Sequence, residues 1–339
     1  MKKAVLYVGF YKDNKIFDLN DAFANRDNCL YHYSLLREKL ATRDFALATQ
    51  DINNVNEAQF VIYNEMPVFR DKSVLLKQNS FLIILESGLI RPDNWVKENH
   101  KYFKKIFTWN DQWVDGTRYL KYCWPNKIPA NLDFDLNEKN KLCTLIAGNK
   151  TMRHPLELYT ERINAIRWFE RYHPEEFDLY GMGWDKYVFK GRIINRLNKI
   201  KPLTRLLAKK YPSYKGTVET KAEILKDYKF AICYENAKEI PGYITEKIFD
   251  CFFAGCVPVY WGAPNVTDFI PASTFIDKRN FKSYEELYKY IKTMSTAEYH
   301  GYLAAIEKFV KSDAMHLFSA ENFAETITAE IIASLTLKV

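Results

Sequence analysis

Several side chains in this sequence have the type and spacing to do chemistry. Glu86 closes the apolar run Phe81-Leu-Ile-Ile-Leu-Glu-Ser and stands just beyond a candidate strand. Strand C-terminal ends are where open α/β sheets bind ligands. Partial desolvation there raises a carboxylate's pKa toward that of a useful general base, although a glutamate after a strand also serves as a solvated loop residue. Glu65 and Asp111 follow two other candidate strands and are the reserves, as bases or as acceptor contacts. On a helical wheel of Pro155–Tyr172, Arg162 lies within about 60° of Leu158, Tyr159, Ile166 and Phe169. An arginine in an apolar stripe must snorkel, pair, or meet an anion.

The densest signal runs from Tyr228 to Phe281. A strand ends at Glu235-Asn236, a loop with Pro241-Gly242 follows, and a helix starts near Thr245 and stops at Gly255. This layout aims a helix N-terminus out of a sheet's C-terminal edge, where its N–H groups and dipole suit a phosphate. Lys247 adds positive charge, and Glu246 can accept hydrogen bonds from sugar hydroxyls. The same residues also fit a helix with an acidic first turn and a solvated lysine.

Other signals are weaker. Asp133-Phe-Asp135 is a D-x-D string of the kind that binds metal in some transferases, but such strings arise by chance among 42 acidic residues. Gly181-Met-Gly183-Trp184 lacks the third glycine of a dinucleotide fingerprint and reads as a turn near a nucleotide. The six histidines show no metal-ligand spacing, so no metal site is expected. There is no nucleophile elbow and no phosphate-binding loop of the G-x-x-x-x-G-K type.

Tyr234-Glu-Asn, Gly242-Tyr-Ile-Thr-Glu-Lys-Ile-Phe-Asp and Ala254-Gly-Cys-Val-Pro-Val-Tyr-Trp-Gly-Ala-Pro-Asn together resemble the C-terminal motif of the α-1,3/1,4-fucosyltransferases of glycosyltransferase family 10, bacterial type. Phe275-Ile276-Asp277 with Asn280-Phe281 continues the likeness, which is faint over roughly the first 140 residues. The resemblance implies a GT-B architecture, GDP-fucose as donor and no required cofactor. It implies that Asn236, Tyr243, Glu246 and Lys247 hold the nucleotide sugar. Through Arg162-Ile-Asn-Ala it assigns Arg162 to the diphosphate, and through a Glu-Ser pair it makes Glu86 the general base. The segment Gly88-Leu-Ile-Arg-Pro-Asp-Asn-Trp95 departs from the animal pattern of the family.

These residues need a scaffold. At 339 residues the chain exceeds the size at which a single core stops growing, so two domains are expected. With 47% hydrophobic and 27% charged residues, it is neither disordered nor fibrous. Short apolar runs alternate with helical patterns: Val5–Phe10, Phe60–Tyr63, Ser80–Leu85 and Lys105–Trp109, then Leu142–Ala147, Phe177–Tyr180, Phe230–Tyr234, Val257–Trp261 and Thr274–Ile276. Helical patterns include Leu36–Arg43 and Pro155–Tyr172. Such alternation predicts parallel sheets in two Rossmann-like, doubly wound α/β domains facing a cleft. The expected division is 1–140 for the acceptor, 141–315 for the GDP-sugar, and a C-terminal helix in 316–339 packing back on the first domain.

No apolar run approaches the ~20 residues of a membrane span, and the N-terminus lacks a signal h-region, so a cytoplasmic location is expected. The six cysteines form no C-x-x-C pair and read as small core residues. Between Lys186 and Lys215 there are ten basic and no acidic residues, more positive charge than the net +7 of the whole chain. Phe189, Ile193, Leu197, Ile200, Leu203 and Leu207 give this stretch a helical apolar face broken by Pro202. It is either a solvated insertion or a surface for an anionic membrane.

The expectation is therefore an inverting transfer of fucose from GDP-fucose to an N-acetylglucosamine- or glucose-type hydroxyl, forming an α-1,3 or α-1,4 fucoside in surface polysaccharide, lipopolysaccharide or protein glycosylation. Alternatives are the same machinery using another GDP-linked deoxysugar, or a basic membrane- or nucleic-acid-binding protein without catalysis. The motif block argues against nucleic acid as partner.

Overall fold

The computed structural model describes residues 1–68, 79–132, 139–189 and 194–336. Two six-stranded, fully parallel sheets carry the chain. The first contains β1 (Lys2–Tyr7), β2 (Phe45–Thr49), β3 (Phe60–Asn64), β4 (Ser80–Ile84), β5 (Lys105–Thr108) and β6 (Tyr119–Lys121), in the order β2-β1-β3-β4-β5-β6. The second contains β7 (Lys141–Ile146), β8 (Phe177–Tyr180), β9 (Tyr214–Gly216), β10 (Tyr228–Tyr234), β11 (Val257–Trp261) and β12 (Ile276–Asp277), in the order β12-β11-β10-β7-β8-β9. Central strands such as Phe81-Leu-Ile-Ile are buried on both faces, as strands covered by helices on two sides must be. The doubly wound pair of sheets expected from the sequence is the architecture found.

The helices are α1 (Tyr31–Ala41), α2 (Tyr159–Tyr172), α3 (Lys201–Leu206), α4 (Lys221–Leu225), α5 (Glu246–Phe253), α6 (Tyr284–Thr293), α7 (Thr296–Val310), α8 (Asp313–His316) and α9 (Ala320–Thr336). The last, α9, lies against α1 and contributes Phe323, Ala324, Ile327 and Ile331 to the core under the first sheet. The chain thus crosses between its halves twice, and the crossings are tied together. Asn126 donates its N–H to Phe318 O (2.8 Å) and accepts from Ala320 N (2.9 Å). No helix among the described residues is long and apolar enough to cross a membrane.

Several elements differ from the sequence expectation. The strands β2, β6 and β9 went unpredicted: β2 is rich in alanine, and the other two have three residues each. Helix α1 starts at Tyr31 rather than Leu36, and the first strand ends at Tyr7. In 186–215 the helical apolar pattern is broken near Pro202, and the described residues there include a 3-10 turn at Ile194–Lys199, the six-residue α3 with Pro202 in its first turn, and edge strand β9. Proline fits a first turn, where no backbone N–H is needed, and ends a helix elsewhere. Five cysteines are buried as expected, but Cys29 is exposed.

Candidate active site

In the second sheet the chain runs outward from β7 to β9 and then restarts at β10 on the other side of β7. The carboxyl ends of β7 and β10 therefore flank a switch point, the place where open α/β sheets bind ligands. A cavity of about 340 Å³ opens there, and its wall includes Ile146 to Gly148 after β7 and Tyr234 and Asn236 at the end of β10. Glu86, Arg26 and Trp124 close it from the other half of the molecule.

Arg162 sits on the buried stripe of α2 with Tyr159, Ala165, Ile166 and Phe169. It neither snorkels nor forms an ion pair among the described residues. Its Nη2 donates to Tyr234 O (2.5 Å) and to Asn236 Oδ1 (3.1 Å), and its guanidinium lies over the Tyr159 ring. Burial lowers its pKa. Asn236 is thereby oriented, with its amide 3.4 Å from the Tyr243 hydroxyl.

Helix α5 begins at Glu246 after Thr245, and the chain turns out of it at Gly255, whose φ of +61° suits glycine. The Thr245 hydroxyl donates to Glu235 Oε2 (2.7 Å) instead of capping the helix. The first-turn N–H groups have no intrahelical partner, and the dipole favours an anion beside them. Lys247 Nζ lies 2.8 Å from Thr245 Oγ1 and 3.1 Å from Glu235 Oε2. Glu235, fully buried, thus orders both the start of the helix and its lysine. Burial works to raise the pKa of Glu246, but Lys247 and Lys221 outweigh it and hold the carboxyl down at about 2. Lys221 itself pairs with Asp250 (2.6 Å).

Glu86 is half-buried at the end of β4. Its carboxylate has no hydrogen-bond donor among the described residues, and desolvation raises its pKa, with Lys247 and Lys150 opposing. Among the described cavity-lining residues, Arg26, Lys150, Arg162, Lys221 and Lys247 outnumber Glu86, Glu246 and Asp250. A net positive chamber with one uncompensated carboxylate suits a diphosphate-linked substrate and a proton acceptor.

Glu86, Arg162, Asn236, Tyr243, Glu246 and Lys247 therefore share one cavity. Glu65 and Asp111 do not line it. The Glu65 carboxylate is turned inward onto backbone N–H groups of Leu85 and Glu86. Asp111 joins the two halves: it pairs with Lys121 and accepts from Asn265 Nδ2 (2.9 Å). Beside it, Gly242 has φ +80°, and a Cβ there would meet Trp109 O at 2.3 Å, so the loop before α5 can approach the first sheet only as glycine. Tyr243 then packs against Trp109, with ring centroids 4.7 Å apart and the ring planes tilted by 43°. Asp133-Phe-Asp135 lies outside the described residues. Among those described, no three His, Cys, Asp or Glu side chains converge as metal ligands.

Sequence reasoning missed Glu235, Arg26, Lys150 and Lys221. Glu235 stood in the motif between Tyr234 and Asn236 and could have been found there. Lys150 and Lys221 reach the cavity from outside the motif, and Arg26 reaches it from the other half of the chain.

Residues 184–326 match the family model for the C-terminal part of glycosyltransferase family 10 (fucosyltransferase). The chain carries a family 10 fucosyltransferase domain. It includes Asn236, Tyr243, Glu246 and Lys247, whereas Arg162 and Glu86 lie before it. An α-(1,3)-fucosyltransferase of Helicobacter pylori is 45% identical over 80 residues, covering 23% of this chain and 16% of that protein. A mouse 4-galactosyl-N-acetylglucosaminide 3-α-L-fucosyltransferase is 44% identical over 162 residues, covering 47% of this chain and 34% of that one. The chain thus spans about a sixth to a third of these relatives' length. A crystal structure of an α-1,3-fucosyltransferase superposes with TM-score 0.59 at 18% identity, covering 98% of this chain and 90% of that chain. An α-glucosyltransferase bound to UDP and DNA gives 0.58 at 10%, covering 98% and 100%. These likenesses establish the GT-B fold around the family 10 domain.

Proposed function

We propose that this chain transfers fucose from GDP-fucose, with inversion, to a hydroxyl of an N-acetylglucosamine- or glucose-type acceptor, forming an α-1,3 or α-1,4 fucoside. Residues 1–140 carry the acceptor and the base, residues 141–315 the donor, and the terminal helix returns to the first part. Glu86 takes the proton of the attacking hydroxyl as that oxygen bonds to C1 on the face opposite the diphosphate. The C1–O bond to phosphate breaks, GDP departs with the electron pair, and a β-linked donor becomes an α-fucoside. Arg162, Lys247 and the N-terminus of α5 offset the charge gathering on the diphosphate. The observation that carries this reading is the uncompensated Glu86 carboxylate facing a cationic wall across one cavity. The names of the family 10 relatives support GDP-fucose over another GDP-linked deoxysugar, and the cavity's charge pattern speaks for catalysis over a purely basic binding surface.

Stabilisation against heat tests the donor site. GDP at a hundred times its Kd should add about 2.7 kcal/mol, while UDP and CMP should leave the melting temperature unchanged. Equal stabilisation by all three would refute the guanine assignment.

An anionic membrane is the proposed partner of the Lys186–Lys215 segment, with the enzyme on the cytoplasmic face of an inner membrane and a lipid-linked precursor of surface polysaccharide or lipopolysaccharide as acceptor. Supporting this, Ile194, Ile200, Leu206 and Leu207 are exposed among Lys199, Lys201, Arg205, Lys209 and Lys210. Each cation near such a surface contributes up to about 1 kcal/mol. The protein should sediment with anionic but not neutral vesicles at low salt, and glutamine at those five cations should abolish this. Failure of the unaltered protein to sediment would discard the partner.

A further inference from the structure

Glu65 is a costly residue where it stands. It directly follows β3 and has φ +73°, a backbone conformation that glycine or asparagine adopts more readily. Its side chain is buried, and no ammonium or guanidinium forms an ion pair with it among the described residues. A buried carboxylate without a counter-cation is destabilising unless hydrogen bonds offset the lost solvation. Three hydrogen bonds serve that end here. Oε1 accepts two consecutive peptide N–H groups, from Leu85 (3.0 Å) and Glu86 (2.8 Å), and Oε2 accepts from Asn94 Nδ2. Asn94 is fixed in turn, accepting from Met66 N (2.7 Å) at Oδ1 while its own carbonyl lies 2.8 Å from His100 Nε2.

The two peptide groups that Glu65 grips belong to the turn that presents Glu86. The carbonyls of that turn are gripped as well. Trp109 Nε1 donates to Leu85 O (2.7 Å), Trp95 Nε1 to Glu86 O (3.2 Å), and the Tyr122 hydroxyl to Ile84 O (2.7 Å). Two N–H groups and three carbonyls of Ile84–Glu86 are thus held by side chains from four separate segments. A bend in the chain needs no such apparatus to exist. A catalytic side chain that must sit within about 0.5 Å of its working position does.

We propose that Glu65 is a positioning residue of the transfer reaction, its carboxylate fixing the Leu85–Glu86 turn so that Glu86 meets the acceptor hydroxyl. This rests on the reading of Glu86 as the base. No neutral side chain of that length does the same. Glutamine places its NH₂ against either the two peptide N–H groups or the Asn94 amide, and a donor then faces a donor.

The test uses the full chain, with active sites counted by GDP binding so that partial unfolding does not count as lost catalysis. Glu65→Gln should cut kcat per GDP-binding site at least tenfold, while KM for donor and acceptor and Kd for GDP stay within twofold. Glu65→Asp keeps the charge but falls short by one methylene, and should lie between. The decisive variant combines Glu65→Gln with Glu86→Gln. A residue that acts only through Glu86 adds no further loss to that of Glu86→Gln alone, whereas an independent structural defect multiplies it. Per-site kcat within twofold of the unaltered enzyme in both single variants, or a multiplicative double variant, overturns the inference. Full turnover in Glu86→Gln instead refutes the base itself, and the inference falls with it.

Discussion

The two walls of the cleft handle buried glutamates in opposite ways. On the donor wall acids are matched with bases: Lys247 with Glu235, and Lys221 with Asp250 and Glu246. Glu246, half-buried, is held at about 2 by Lys247 and Lys221 against the desolvation that would raise it. On the acceptor wall Glu65 and Glu86 are neighbours on adjacent strand ends, and neutral donors hold Glu65 and the Glu86 backbone. Burial pushes Glu65 up to about 7 and raises Glu86 as well. Glu246, at the start of a helix, is thus kept charged on one side, while burial on the other readies Glu86, beyond a strand end, to take a proton. On the proposed reading, the donor wall holds an anion that arrives already charged, and the acceptor wall accepts a proton only when the hydroxyl attacks.

The largest expected effect breaks the acceptor wall. Glu86→Gln keeps the shape but cannot accept a proton, so kcat should fall by roughly 10²–10⁴. Turnover within about threefold of the unaltered enzyme would mean that the walls do not divide the chemistry in this way. Next come the donor-wall cations. Lys247→Ala and Arg162→Ala should each weaken donor KM or cut kcat at least tenfold, since one charge-assisted phosphate contact is worth about 1.5–3 kcal/mol. Steady-state kinetics over a range of GDP-fucose would separate the two forms of loss. The smallest effect links the walls. Activity should fall on the acid side as Glu86 gains its proton, with an apparent pKa above the 4.5 of an ordinary glutamate. Because Lys247 opposes that rise, the residual activity of Lys247→Ala should show the same limb moved to higher pH. A limb at or below 4.5 would place the base elsewhere.

What was legible in the sequence follows from how local each feature is. The start of α5, its end at Gly255 and the residues Glu246 and Lys247 lie in one contiguous block, so spacing shows their layout, whereas Asn236 and Tyr243 were singled out by the family resemblance of that block. Arg162 was legible because a charge in an apolar stripe of a helix is conspicuous. Glu86, Glu65 and Asp111 all follow strands, and that much was readable. Which of them faces the cleft was not, because the direction of a side chain past a strand end depends on the partners it meets. Glu65 turns back onto the Glu86 turn, and Asp111 onto Lys121 and Asn265. Arg26, Lys150 and Lys221 join the site only through the packing of two halves, which no local pattern records. In 186–215 the helical apolar period was real, but Pro202 turns the segment into short pieces.

The central claim is that the acceptor wall supplies the proton acceptor and the donor wall holds GDP. Its most direct test measures GDP affinity and fucosyl transfer side by side in Glu86→Gln and Lys247→Ala. The account predicts that Glu86→Gln binds GDP as tightly as the unaltered enzyme and transfers almost nothing, whereas Lys247→Ala loses affinity for GDP. If Glu86→Gln instead weakens GDP as much as Lys247→Ala does, or transfers fucose at the unaltered rate, the division between the two walls is wrong.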